Sequence, residues 1–236
     1  HYCLTYDGSD ITLYFDGVPE ATATAPLDTM SSYSIFVGSD IFHEYFLTGA
    51  LDELYIYESA LDAEAIYVLY STVTAAPTLT PAPSSFYFEG TLVSYYSFEN
   101  GNATDAQGGY DASINVYNEG TESYDEHNYL SATPGRSGED ALPFDGSTYV
   151  YVPLAAVTEN DLTGDDERTI CVWARIDEWN NGFLYEYGSR DSDGSSFGLA
   201  ASDAEGNVTM KLSGSYDTVV EIHGNSSYPI DWDYWH

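Results

Sequence analysis

The chain is 236 residues long and carries 39 acidic residues against five basic ones, Arg136, Arg168, Arg175, Arg190 and Lys211, for a formal charge of −34. No basic face can be assembled from so few cations, so nucleic acid is excluded as a partner. The 23 tyrosines and 16% aromatic content, set in alternating apolar segments, argue against the disorder such a charge would otherwise bring.

The acids therefore decorate a folded surface, where they repel one another, and bound cations or high salt should favour the fold. No apolar stretch approaches the roughly 20 residues that cross a bilayer, so no membrane span is expected. Nothing at the start resembles a signal peptide and there is no initiating methionine. His1 to Cys3 therefore read as the interior or processed edge of a longer precursor. Sequons at Asn102, Asn207 and Asn225 are compatible with N-glycosylation and an extracellular, secreted or cell-surface location.

In chain order, Ile11 to Phe15, Ser34 to Val37 and Leu54 to Tyr57 read as strands bounded by Asp-Gly and Gly-Ser turns. Asp62 is a good N-cap for a short helix through Tyr70, with Ile66, Leu69 and Tyr70 on its apolar side. From Ser71 to Ser85 the alternation stops and Pro, Thr, Ser and Ala take over, which reads as an extended linker, with a loop inside one domain as the alternative. Beyond it, Leu92 to Phe98, Ser147 to Val152, Thr169 to Ile176, Gly182 to Tyr187, Ser196 to Leu199 and Val208 to Leu212 alternate with period two. The fold class is all-β: two antiparallel sheets packed face to face, with one short helix.

Asp140-Ala-Leu-Pro-Phe-Asp-Gly-Ser147, followed by the valine-rich strand and Thr169-Ile-Cys-Val-Trp-Ala-Arg175, resembles the first half of a laminin-G-like, concanavalin A-like jelly-roll domain. Asp7-Gly8-Ser9 through Val18, Phe36-Val37-Gly38 and Gly49 through Tyr57 with the closing helix are similar to its second half, so the order is reversed. The family's central motif returns when the chain's end, Trp235-His236, is joined to its beginning, His1-Tyr2. The resemblance implies residues 1–70 as the C-terminal half of one sandwich, 71–85 as linker and 86–236 as the N-terminal half of the next, completed between neighbouring repeats or chains. A half-domain at each end of a tether propagates head to tail, which makes the expected object a filament-forming or adhesive structural repeat whose partners are copies of itself.

The resemblance also makes neighbours of the strands that carry Cys3 and Cys171. A disulfide between them would close a loop across the join, worth roughly 4 kcal/mol on the loop-entropy model; two unpaired core cysteines are the alternative. It further implies a structural calcium, for which Asp52, Glu99, Asp105 and Asp140 supply hard oxygen ligands. His43, His127 and His223 stand apart and form no transition-metal set. Catalysis is not expected, because Glu53 and Glu58 do not reproduce the Glu-x-Asp-x-x-Glu pattern of the family's glucanases and no Gly-x-Ser-x-Gly elbow occurs. The competing function is a lectin-like carbohydrate-binding module, with Trp179, Trp232, Tyr185 and Tyr187 as a stacking platform.

Overall fold

The computed structural model of the chain describes residues 1–30, 32–72, 90–136, 139–178, 181–189, 194–202 and 207–209. They form two antiparallel sheets. The first runs β3 (Val18–Thr24), β2 (Asp10–Phe15), β1 (Tyr2–Tyr6), β12 (Arg168–Glu178), β5 (Thr48–Tyr57), β10 (Asp140–Asp145) and β9 (Thr133–Pro134), with β6 (Leu92–Tyr96) on the other half of β5. The second runs β15 (Asn207–Thr209), β14 (Ser196–Ser202), β13 (Phe183–Gly188), β4 (Ile35–Val37), β11 (Thr148–Val152), β7 (Ser113–Asn118) and β8 (Ser123–His127). Helix α1 covers Ala63–Thr72 and a one-turn helix α2 covers Leu154–Thr158.

Period-two alternation sends Leu4, Ile35, Val37, Leu51, Val150, Val152, Ile170 and Val172 into one core between the sheets, where each is all but inaccessible. The Asp-Gly-Ser triplets turn the chain by the same device twice. Asp7 Oδ1 accepts from the amides of Ser9 and Asp10, at 2.9 and 2.7 Å, between β1 and β2; Asp145 Oδ1 accepts from the amide of Ser147 and the hydroxyl of Thr148, both at 3.0 Å, between β10 and β11.

Helix α1 starts as expected, with Asp62 Oδ1 accepting from the Ala65 amide at 2.8 Å. Its Ile66 and Leu69 lie over Cys3, Tyr14, Tyr57 and Cys171, making a second, smaller core on the outside of the first sheet.

Strands from the two expected halves, 1–70 and 86–236, pair with one another within this one chain. β12 pairs with β1 on one side and β5 on the other, and β10 also pairs with β5, so strands from before and after the proline-rich stretch alternate within a sheet. β4 is likewise held between β11 and β13. The reason is that each half presents an unpaired edge whose register and apolar face fit the other. Ser71 and Thr72 belong to α1, and residues 73–85 of the expected linker lie outside the described residues. So do Trp235 and His236, while His1 and Tyr2 are buried beside β12.

Candidate functional site

Cys3 and Cys171 face one another directly in the β1–β12 register and are joined, with 4.1 Å between their Cα atoms and 168 residues between them along the chain. The antiparallel register itself sets the two residues directly opposite one another, which is what brings their sulfurs together. Trp173 follows on the same outer face, stacked on Tyr70 of α1 at 5.5 Å and capped by the Arg136 guanidinium 3.4 Å from the ring centroid.

An acid pocket sits beside Arg136. Opposite Trp173 the β5 strand carries Asp52, and a bulge there gives Glu53 a left-handed backbone, with φ 52°. The bulge puts both acids on the outer face. Glu53 accepts hydroxyl hydrogen bonds from Tyr55 at 2.7 Å and Tyr95 at 2.6 Å. Asp52 is 2% exposed; its Oδ2 accepts from the Arg136 amide at 3.3 Å, whereas its Oδ1 is buried with no hydrogen-bond partner. Glu99, on the turn after β6, accepts from the Asp140 amide at 3.3 Å through Oε2, and its Oε1 is likewise buried and unpartnered. The Asn100 amide donates to Asp140 Oδ2 at 3.1 Å. Gly135 closes the pocket, because a Cβ there would come within 2.8 Å of Asp52 Oδ2 and 3.0 Å of the carbonyls of Glu139 and Asp140.

Burial and the neighbouring carboxylate of Glu53 push Asp52 up to about 8, and burial raises Glu53 and Glu99 as well. The chain has thus gathered mutually repelling carboxylates, with two orphaned oxygens, where a hard divalent cation would neutralise them. Carboxylates with backbone carbonyls are the hard oxygen donors that calcium takes in general. Asp52, Glu99 and Asp140 are the expected ligands among these acids, while the Glu139 carbonyl accepts from the Gly135 amide at 2.7 Å. The pocket is looser than a closed shell. Among the described residues, the three metal-type ligand atoms found within 4.8 Å of one another are those of His1, Cys3 and Cys171, whose sulfurs are already joined.

Asp105, expected in this set, is placed elsewhere. Its carboxylate accepts four amides, from Tyr95 and Gln107 at 3.0 Å through Oδ1 and from Gly109 at 3.1 Å and Tyr110 at 3.0 Å through Oδ2. With both oxygens so engaged it organises its own loop. Of the sequons, Asn102 is half-buried, its Nδ2 donating to the Glu99 carbonyl at 2.7 Å. Asn207 begins β15, and Asn225 lies outside the described residues.

The expected stacking platform is corrected. Tyr185 and Tyr187 are core residues with no exposure, and the Tyr187 hydroxyl accepts from the fully buried Arg168 at 3.0 Å. Trp179 and Trp232 lie outside the described residues. An aromatic face does exist, made of other residues on the outside of the second sheet. Phe36, Tyr149 and Tyr151 alternate with inward-facing valines and isoleucine, and cross-strand pairing carries the same face through Ser113, Asn115 and Tyr117 of β7 to Tyr124 and Glu126 of β8. Tyr151 and Tyr117 are 38% and 36% exposed. Period two was visible in β11, but the residues that face outward with it come from strands far apart in sequence.

Residues 1–67 match the family model described as the concanavalin A-like lectin/glucanases superfamily, of laminin-G type. The matched segment supplies β1 to β5 and the first half of α1, and the two-sheet jelly roll seen here is the fold that family implies. No curated protein and no solved structure matches the chain. No helix among the described residues is long and apolar enough to cross a membrane.

Proposed function

We propose that the chain is an extracellular, lectin-like carbohydrate-binding module, steadied by its disulfide and by calcium in the acid pocket. One observation carries this reading: the outer face of the second sheet presents tyrosine rings interleaved with Ser113, Asn115 and Glu126. A pyranose ring stacks on an exposed aromatic ring through its apolar face while its hydroxyls need polar neighbours. Tyr117 and Tyr151, the more exposed rings, are the stacking residues. The carboxylates elsewhere do not resemble a hydrolase pair, since Glu53 is held by two tyrosine hydroxyls and Glu58 is exposed at the end of β5.

A buried disulfide is compatible with secretion, as are N-glycans on Asn102, Asn207 and Asn225. The filament reading rested on half-domains left open for a neighbour. Here strands of the two halves pair within the chain, which favours a binding module over a polymer.

The test is a glycan array followed by calorimetric titration of the best oligosaccharide. Saturable binding is expected, and replacing Tyr117 and Tyr151 together by serine should weaken it by about tenfold or more, since each stacked ring contributes about 1 kcal/mol. Asp52→Asn should leave it within about twofold, because ring stacking on the second sheet does not use the acid pocket. An array without hits, together with concentration-dependent assembly in sedimentation, would turn the reading back to a self-associating structural repeat.

A further inference from the structure

The loop from Gly38 to Leu47, closed by the Leu47 amide on the Gly38 carbonyl at 2.9 Å, folds back over the aromatic face. Gly38 makes the start possible, with φ +81° and the Phe144 ring where a Cβ would stand. At its apex His43 takes a left-handed backbone, φ 57°, and lays its imidazole nearly flat on Tyr149, 4.3 Å between centroids and 20° between planes. The same ring meets Tyr124 edge-on at 5.0 Å and Phe36 edge-on at 5.2 Å. Tyr124 in turn stands at 78° to Tyr149, 5.1 Å away.

One ring is therefore a floor and two are walls, and His43 lies inside them as a guest lies in a box. Its Nε2 is buried without a hydrogen-bond partner, so the box offers the imidazole π-surface but nothing for its polar atom. Burial holds the imidazole below its usual value, which leaves a neutral occupant that gains little from electron-rich ring faces. The Asp40 carboxylate is the nearby charge. It is 0% exposed, accepts from the Glu44 and Tyr45 amides at 2.6 and 3.1 Å, and acts electrostatically on both His43 and Tyr124.

Three aromatic rings and a buried carboxylate form a receptor for an organic cation that sheds water easily. A bare ammonium keeps its hydration shell and resists entry, whereas a methylated one does not. We propose that Phe36, Tyr124, Tyr149 and Asp40 form a binding site for a methylated ammonium group, and that His43 is its resident occupant, displaced when the ligand binds. The net charge of −34 draws such a cation toward the surface before the box selects it. The box adjoins the proposed sugar-stacking rings, with Phe36 5.5 Å from Tyr151 and Tyr124 5.2 Å from Tyr117, but its ligand class is different and its test does not require that a sugar bind.

The experiment titrates the chain with choline at fixed ionic strength, followed by ring-proton shifts in NMR, with 3,3-dimethylbutan-1-ol as the neutral isostere. Saturable millimolar-range binding is expected for the native chain, and the isostere should bind about tenfold more weakly because it lacks the cation–π attraction. His43→Ala empties the box and should tighten choline binding by about tenfold, since the resident guest no longer competes. Tyr149→Leu removes the floor and should abolish it; if that variant is misfolded by circular dichroism, Tyr124→Leu takes its place. Equal binding of choline and its isostere, or no saturation in the native chain or in His43→Ala, overturns the proposal.

Discussion

The outer faces of the two sheets differ in what lies on them and in what they can do. The first is sealed: α1 covers the Cys3–Cys171 bond, Tyr70 and Arg136 clamp Trp173, and the acids beside them are buried with two carboxylate oxygens left without a hydrogen-bond partner. The second presents tyrosines alternating with polar side chains across β7, β8 and β11, and among the described residues the His43 loop lies on top. Both faces began as the same alternating pattern. A covering element converts such a face into structure, whereas an uncovered one keeps its rings available to a ligand.

Breaking the sealed face should have the largest effect. Serine at both Cys3 and Cys171 removes a bond that spans 168 residues, worth about 5 kcal/mol on the loop-entropy model. The double variant should melt far below the native chain or fail to fold, whereas Tyr117→Ser on the open face should shift the midpoint little. Thermal melts under non-reducing conditions check this, and equal midpoints for native and double variant would mean the bond adds nothing.

The acid pocket should come next. Asp52 holds its proton in the folded state up to about pH 8, against 3.8 ordinarily. A carboxyl raised on folding stabilises the fold fully below its unfolded value, and that contribution is lost as pH rises through the folded value. In chelator, stability should therefore fall between about pH 4 and pH 8, by roughly a few kcal/mol from this group. Asp52→Asn should flatten that slope and melt higher than the native chain at pH 8. Calcium should reverse the ranking by stabilising the native chain at pH 8 and not the variant. If sodium at matched ionic strength does as much as calcium, screening of surface charge is the whole effect.

Much of this comparison could be read in the residues, and the failures have physical causes. Central strands such as β11 and β12 announce themselves through valine-rich alternation, and α1 through the Asp62 cap. β3, reading Val-Pro-Glu-Ala-Thr-Ala-Thr, and β8, reading Ser-Tyr-Asp-Glu-His, were not legible, because edge-lying strands are mostly exposed and carry polar residues instead of a buried face. The disulfide pairing followed from the family resemblance, which also named Asp52, Glu99, Asp105 and Asp140 together as calcium ligands; the structure brings the first, second and fourth near one another. Asp105 is held elsewhere, since four amides converge on it only after its loop has folded. The fate of Tyr185 and Tyr187 turned on which side of β13 faces the core. His43 stood alone in the sequence, and the three rings around it come from β4, β8 and β11.

The smallest expected effect sharpens the idea that a cover makes the difference. α1 is ten residues long, too short to hold together without packing, and it relies on Asp62 Oδ1 for one of its free amides. Asp62→Ala should cost about 1 kcal/mol, the usual value of an N-cap, and Asp62 is exposed, so the loss falls on the helix and leaves the sandwich core intact. The consequence is local. If α1 is what protects the Cys3–Cys171 bond, each opening of its first turn should admit reductant, and a loss of about 1 kcal/mol makes such openings roughly fivefold more frequent. Under native conditions the rate of disulfide reduction by a small thiol should rise by about that factor, while choline and glycan binding on the opposite sheet should be unchanged. An unaltered reduction rate, with the helix shown by hydrogen exchange to open more often, would mean that the bond is shielded by the strands themselves.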